Sequence, residues 1–369
     1  MTQMRLLAVA LAFCFSLRLS AVPLPGDFAD YWRGERARLE RTVPLDPQVT
    51  AMPGGSGDPF VRYRVSFATF GGKRAYGFLA VPKDRSRVPL PVTVTVPGAG
   101  AGAIGRHVIS DGSSVRLVMN VHPFEPADER TEQQKRLDAF NGELRKRWNS
   151  KASYPTMGLS SSREDYFFHD AILGIARAVD WLAEQHYVDK SRFVYVGGSQ
   201  GGYMGIALTA LTGRFVKTYV YVPAFCNVFS GEEQGLPPPW PNPLRVYASA
   251  SAAERDAVRA NLPYFDCANF ATLVTTPIKV VLGLSDKACP PHGIRTMFAA
   301  LKSADKELVE VPGMPHGSPP REVAKAVMRW LYDPGSTIRV ADVWSPTCEP
   351  RVQPRKADQV PVGQPDARL

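Results

Sequence analysis

The chain of 369 residues is 44% apolar and 21% charged, which is an ordinary globular composition. Its formal net charge of +9 is a mild excess that is scattered along the sequence. The densest basic stretch, residues 145–148, falls in a predicted helix, so we expect a solvated face there and no nucleic-acid partner. The length allows one large α/β domain or two smaller ones.

The first residues predict a secretory signal peptide over 1–21. Arg5 precedes an apolar run over 6–17, and small residues at 20 and 21 come before a proline-rich start. A run this short, interrupted by Arg18, does not span a bilayer, so we expect no stable membrane insertion. The sequence therefore predicts a secreted or periplasmic protein.

Four cysteines follow this leader: Cys226, Cys267, Cys289 and Cys348. An exported protein can oxidise them to disulfides, and free buried thiols are an equally good interpretation. Four cysteines allow three pairings, among which the sequence does not choose.

The first half of the chain predicts a helix and then several strands. Asp27 is a candidate cap for a helix in which Phe28, Trp32 and Leu39 share one face. Alternating apolar residues over 61–67 and 76–81, joined by two glycines, predict an antiparallel hairpin. Strand-like runs over 92–96 and 115–119 then flank a Gly/Ala loop at 98–102.

In the second half, strands alternate with helices. Helical stretches are predicted over 127–148 and about 165–185, and strand-like runs over 193–196, 216–222, 278–283 and 308–311, before a closing helix. This alternation predicts an α/β fold with a mostly parallel central sheet, helices on both faces and the N-terminal antiparallel hairpin. The domain is expected over 22–333, followed by a proline-rich mobile tail over 334–369.

Residues 197–202 read Gly-Gly-Ser-Gln-Gly-Gly between a strand-like run and a predicted helix. A serine at the apex of a tight strand-to-helix turn needs small neighbours, so this segment predicts a nucleophile elbow with Ser199 at its apex. The alternative is a glycine-rich turn that reverses the chain or binds phosphate. The dinucleotide-binding and Walker A spacings are both absent.

A serine nucleophile needs a base, usually a histidine oriented by a carboxylate. Of six histidines, His316 is the one that follows a late strand and precedes the closing helix. Asp286 follows the intermediate strand at 278–283. The order Ser199, Asp286, His316 is that of the α/β-hydrolases, in which chemistry collects at the carboxyl ends of the strands.

Two backbone N–H groups are expected to bind the developing oxyanion. Gln200 directly follows the nucleophile and supplies the first, and Ala99 in the early loop is the candidate for the second. A flexible turn is the alternative role for that loop. A mechanism built on these residues requires no metal and no organic cofactor.

Several segments resemble the acetyl xylan esterase and cephalosporin-C deacetylase family of carbohydrate esterases. They are the Gly-Gly-Ser-Gln-Gly-Gly elbow at 197–202, Gly-Leu-Ser-Asp-Lys-Ala-Cys-Pro-Pro at 283–291 and Tyr-Phe-Asp-Cys-Ala-Asn-Phe-Ala at 264–271. Asp27-Phe28 with Trp32, and His316-Gly317, add to the likeness, which runs from about residue 27 to 332. The resemblance implies an α/β-hydrolase with Ser199 as nucleophile, Asp286 as orienting acid and His316 as base.

The same resemblance implies that the substrates are acetylated xylan, xylo-oligosaccharides or small acetyl esters of the cephalosporin type. The chain departs from the family in two places. The family's Arg-Gly-Gln segment is missing where this chain has Asn120-Val121-His122-Pro123, and Ala99 stands where the family has an aromatic residue. The family forms ring-like oligomers, and because the missing triplet is tied to that architecture, the oligomeric state stays open.

Two other functions compete with a deacetylase. One is a peptidase or lactone hydrolase on the same fold, because fold alone does not set the substrate. The other is an inactive homologue that only binds carbohydrate. Trp148, Tyr154 and Trp240 are weak candidates for stacking on sugar rings, and core or lid packing is the alternative role for each.

Overall fold

The computed structural model describes residues 23–55, 57–105, 112–148, 153–229 and 235–344. The predicted signal peptide, Cys348 and the part of the predicted tail after residue 344 lie outside the described residues. Within the described part, no helix is both long enough and apolar enough to cross a membrane.

A single sheet of nine strands organises the described residues, in the order β1-β2-β3-β5-β4-β6-β7-β8-β9. The strands are β1 (Gln48–Ala51), β2 (Phe60–Ala68), β3 (Arg74–Pro82), β4 (Leu90–Thr95), β5 (Val115–Met119), β6 (Val188–Gly198), β7 (Lys217–Tyr221), β8 (Ile278–Gly283) and β9 (Lys306–Val311). From β5 to β9 every neighbouring pair is parallel. β1, β2 and β3 are antiparallel, and the predicted hairpin is the β2–β3 pair.

Nine α-helices surround this sheet in the described residues. They are α1 (Phe28–Thr42), α2 (Arg130–Trp148), α3 (Phe167–Ala183), α4 (Gln200–Thr212), α5 (Pro243–Val246), α6 (Ala252–Asn261), α7 (Cys267–Ala271), α8 (Pro291–Ala300) and α9 (Arg321–Tyr332). In α1, Phe28, Trp32 and Leu39 are buried, as the predicted face requires.

Helices cover both faces of the sheet because strand side chains alternate in direction. Tyr195 of β6 packs in a core shared with α3 and α4, whereas its neighbour Val194 packs in a separate core with Trp330 of α9. The predicted α/β fold with a mostly parallel sheet is confirmed.

Residues 334–344, which the sequence placed at the start of the tail, pack against the sheet. Val340 is 1% exposed, and its N–H donates to Glu307 Oε1 at 2.8 Å. Lys279 Nζ, which also pairs with Glu307, donates to the Ile338 carbonyl at 2.9 Å. The packed part of the chain therefore continues to Trp344, past the boundary that composition indicated.

Candidate active site

Ser199 stands between the end of β6 and the start of α4. Its backbone angles, φ 55° and ψ −124°, are rare for a residue with a side chain. The Ser199 N–H donates to the Tyr221 carbonyl at 3.0 Å, which fixes the turn to the neighbouring strand β7. A strained serine at a strand-to-helix turn is the geometry of a nucleophile elbow.

The glycines around Ser199 are required by close backbone and side-chain approaches. A Cβ on Gly201 would lie 2.0 Å from the Val96 carbonyl oxygen, and one on Gly198 would lie 2.0 Å from the Tyr221 ring. No side chain fits at either distance, so the sequence pattern reflects packing of the elbow against β4 and β7.

The structure brings the three predicted catalytic side chains together. His316 Nε2 lies 3.0 Å from Ser199 Oγ, and His316 Nδ1 lies 2.8 Å from Asp286 Oδ2. Both distances are those of hydrogen bonds. The residues follow β6, β8 and β9, whose carboxyl ends meet at one edge of the sheet.

Asp286 is held from its own loop as well as by the histidine. The backbone N–H groups of Ala288 and Cys289 both donate to Asp286 Oδ1 at 2.8 Å. The Asp286 side chain is 0% exposed, whereas the His316 side chain is 34% exposed. The carboxylate is thus fixed and shielded from solvent, whereas the imidazole is partly exposed to it.

The two segments that carry the expected oxyanion donors both lie next to Ser199. Gln200 is the first residue of α4, and first-turn N–H groups of a helix have no intrahelical partner. In the early loop, a Cβ built on Gly98 would lie 3.8 Å from Ser199 Cβ, so this loop reaches the serine. Ala99 is exposed, and among the described residues nothing accepts a hydrogen bond from its N–H.

Polar side chains hold the rest of this loop, which we call the oxyanion loop (residues 97–103). Gln133 Nε2 donates to the Ala101 carbonyl at 2.6 Å, and Arg130 Nη1 donates to the Gly102 carbonyl at 2.6 Å. Asn120 Oδ1 accepts from the Ala103 N–H at 2.7 Å. Sequence reasoning missed all three side chains. Only Asn120 carried a usable signal, because it directly follows β5.

Cys289 places a thiol beside the triad. One ligand atom each of Asp286, Cys289 and His316 lies within 4.8 Å of the others. Burial raises the pKa of the Cys289 thiol well above its ordinary value, although a hydrogen bond with Ser199 lowers it. Cys226 and Cys267 are also free and buried, so none of the three described cysteines forms a disulfide.

The three aromatic residues considered for sugar stacking lie in different places. Trp148, at the end of α2, lines a cavity of about 310 Å³ whose walls contain no triad residue. Tyr154 is buried, with only 4% of its surface exposed, so it offers no stacking face. Trp240 is half-buried, and its N–H donates to the Ala288 carbonyl at 2.8 Å, which places its backbone on the Asp286 loop.

Comparison with known proteins identifies the family of this chain. The acetyl xylan esterase family matches residues 4–333. The acetyl esterase Axe7A of Xylanibacter ruminicola is 25% identical over 309 residues, which cover 83% of this chain and 66% of that protein.

Two solved structures share the fold. The acetyl xylan esterase from Paenibacillus sp. R4 superposes with a TM-score of 0.68 at 21% identity, covering 83% of this chain and 94% of that one. Acetyl xylan esterase 1 from Thermoanaerobacterium sp. JW/SL YS485 gives 0.68 at 19% identity, covering 84% and 94%. These structures confirm the α/β-hydrolase fold predicted from sequence. The family match over residues 4–333 confirms the predicted esterase class and shows that the chain belongs to the acetyl xylan esterase family.

Proposed function

We propose that the chain is a serine esterase that removes O-acetyl groups from carbohydrates through an acetyl-enzyme. The observation that carries the proposal is the continuous hydrogen-bonded series from Ser199 Oγ through His316 to Asp286, at 3.0 Å and 2.8 Å. A histidine bonded on both sides in this way accepts the serine proton while the carboxylate stabilises the resulting imidazolium.

In the first half-reaction, His316 Nε2 takes the proton of Ser199 as Oγ attacks the acetyl carbonyl carbon. The N–H groups of Gln200 and Ala99 donate to the carbonyl oxygen as it gains negative charge. The C–O bond to the sugar then breaks. His316 returns its proton to the departing sugar oxygen, which leaves as an alcohol.

In the second half-reaction, a water molecule takes the place of the sugar. His316 accepts a proton from this water, whose oxygen attacks the acetyl carbon of the acetyl-Ser199 ester. The same two N–H groups bind the second oxyanion. Collapse of that intermediate releases acetate, and His316 returns the proton to Ser199 Oγ.

Acetylated xylan and xylo-oligosaccharides are the proposed natural substrates, and small acetyl esters are the accompanying ones. Family membership and the activities named for the relatives support this choice. Acetate release from acetylated xylan, mannan, pectin and short xylo-oligosaccharides would rank the polysaccharides directly. Equal release from all four would refute a xylan preference.

The nucleophile assignment is tested with 4-nitrophenyl acetate. Ser199→Ala should lower kcat by at least about 10³, as removal of a triad serine does in other hydrolases. Ser86→Ala, in an exposed turn, is the matched control and should keep full activity. If Ser199→Ala still released acetate at the wild-type rate, Ser199 would not be the nucleophile.

Acyl-chain profiling separates this proposal from its rivals. Activity on acetyl and propionyl esters that collapses with longer chains supports a deacetylase. A preference for peptide or lactone substrates supports the alternative hydrolases, and glycan binding without turnover supports an inactive carbohydrate-binding protein.

Export through a signal peptide over residues 1–21 completes the proposal. The charged start, short apolar run and small residues before position 22 support it. Expression of the full chain with fractionation and N-terminal sequencing tests the idea. An intact N-terminus on cytoplasmic protein would contradict it.

A further inference from the structure

The Tyr154 hydroxyl touches both segments that carry the oxyanion donors. It donates to Gln200 Oε1 at 2.8 Å and accepts from the Gly100 N–H at 3.4 Å. Gln200 carries the first donor. Gly100 is next to Ala99, which carries the second. We propose that Tyr154 is a positioning residue that fixes the distance between the two halves of the oxyanion hole.

The Gln200 side chain closes a ring of hydrogen bonds across the site. Its Nε2 donates to the Pro97 carbonyl at 3.4 Å, while its Oε1 accepts from Tyr154. The oxyanion loop is therefore tied to the start of α4 at Pro97 and at Gly100. Gly98 and Ala99 lie between these two ties, which hold Ala99 in place. Among the described residues nothing accepts a hydrogen bond from the Ala99 N–H.

Tyr154 itself is rigidly placed. It begins a short 3₁₀ turn over Tyr154–Thr156, and its N–H donates to Asn141 Oδ1 at 2.9 Å. Its ring packs against Phe167 at 4.8 Å between centroids. Burial raises the pKa of Tyr154, so its hydroxyl keeps the proton that it donates to Gln200.

His122 supports the same ring from the segment where the family's Arg-Gly-Gln triplet is missing. Its ring meets Tyr154 edge-on at 4.8 Å and an angle of 76°. Burial lowers the pKa of His122 to about 3, so the ring is neutral, and neither ring nitrogen has a hydrogen-bond partner among the described residues. The uncharged His122 ring therefore packs against the Tyr154 ring. The segment that departs from the family thus supports the residue that links Gln200 to Gly100.

This inference rests on the proposed function, in which the Ala99 and Gln200 N–H groups bind the oxyanion. An interaction that matters only when the oxyanion forms changes kcat and leaves ground-state binding unaltered. Loss of one oxyanion donor costs about 10²–10³ in kcat elsewhere. A change that loosens both donors without removing either should lower kcat by less than this, on the order of tenfold.

The first test is Tyr154→Phe, which keeps the ring and removes only the hydroxyl. With 4-nitrophenyl acetate, we expect kcat to fall about tenfold while KM stays within about twofold. A boronic acid that mimics the tetrahedral intermediate should bind about tenfold more weakly. Tyr264→Phe is the matched control, because this buried tyrosine donates to Asp27 near the start of α1. It should leave kcat unchanged.

The second test is a double-mutant cycle with Gln200→Leu, which removes the bridge from its other side and keeps the backbone donor. If Tyr154 acts through Gln200, the double variant should be no slower than the slower single variant. Should Tyr154→Phe fail to fold, Gln200→Leu alone must show the loss of kcat and the weaker boronic acid binding.

Three results would overturn the inference: unchanged kcat in Tyr154→Phe, an equal loss in Tyr264→Phe, or fully additive losses in the cycle. Each is read against a wild-type protein whose acetate release depends on Ser199. Absence of that release would instead defeat the proposed function, so the two failures are distinguishable.

Discussion

A hydrogen bond of 2.8 Å joins His316 Nδ1 to Asp286 Oδ2. The Asp286 side chain is fully buried, whereas the His316 side chain is partly exposed to solvent. Asp286 accepts at one oxygen from the histidine and at the other from two backbone N–H groups. This arrangement leaves the carboxylate no freedom to turn. It places the proton of neutral His316 on Nδ1 and leaves Nε2 free to act as a base toward Ser199.

Asp286→Asn tests this tautomer argument. The amide can donate to Nδ1, which would move the imidazole proton to Nε2 and leave no base facing Ser199. We expect kcat to fall by about 10³–10⁴ with the fold retained, as for the equivalent change in serine proteases. Circular dichroism and the rate with 4-nitrophenyl acetate are the measurements. Asp84→Asn, at an exposed turn, is the control, and similar rates for both variants would contradict the role of Asp286.

A pair of Gly→Ala variants tests the elbow packing. A Cβ at Gly201 would lie 2.0 Å from the Val96 oxygen, so Gly201→Ala must displace α4 from β4. Overpacking of this kind costs about 1–3 kcal/mol, and activity should be lost with it. Gly142 lies within α2, and a Cβ there would meet nothing within 4 Å. Gly142→Ala should therefore stabilise by up to about 1 kcal/mol. Equal Tm values for the two variants would refute the packing argument.

The sequence predicted the triad because each member carries a local signal. Ser199 sits in a glycine-rich turn, and Asp286 and His316 each follow a short β-rich run. Their chain order then assigned the roles without any knowledge of distances. Parallel strands guarantee that such strand-end residues meet at one edge of the sheet.

Residues that act across long separations carried no such signal. Tyr154 contacts Gln200 from a turn 46 positions earlier, and nothing in its neighbourhood marks that contact. An aromatic residue in a polar link is compatible with stacking on a sugar, and only burial excludes that role. β1 was also missed, because it is only four residues long and all four residues are exposed, so no buried face marks it.

Truncation after Asp333 tests how far the packed domain extends. It removes the buried Val340 side chain from the core that it shares with α9. It also removes the Val340 N–H that donates to Glu307 and the Ile338 carbonyl that accepts from Lys279, two partners of the buried Glu307–Lys279 ion pair. A buried charge that loses a partner is strongly destabilising, and a buried valine contributes about 1.5–3 kcal/mol. We expect a loss of about 3 kcal/mol or more in the free energy of unfolding, measured with urea. Truncation after Trp344 keeps these contacts and is the control. Equal stability of the two truncations would place the boundary back at 333.

Buried His169 makes stability depend on pH. Its Nε2 lies 2.9 Å from Glu35 Oε2 and its Nδ1 lies 3.1 Å from Asp170 Oδ1. Burial alone would lower the pKa of His169, but the hydrogen bonds and charges of both carboxylates raise it above its ordinary value of 6.5. Burial opposes the ionised form of Glu35 as well, yet its hydrogen bonds with His169 and Arg38 lower the pKa of Glu35 to about 2.

The signs of these two shifts define a window of greatest stability. A raised histidine pKa contributes stability that is complete below the unfolded value of 6.5 and is lost as pH rises through the folded value. A lowered carboxylate pKa contributes stability that is present above 4.5 and is lost as pH falls toward 2. The cluster therefore stabilises most between about pH 4.5 and 6.5. Thermal melts of wild type and His169→Gln should differ most in this window, and the difference in Tm should shrink toward pH 9. Because glutamine keeps a hydrogen-bond donor but does not titrate, a Tm difference that stays constant with pH would show that His169 is neutral in the folded protein.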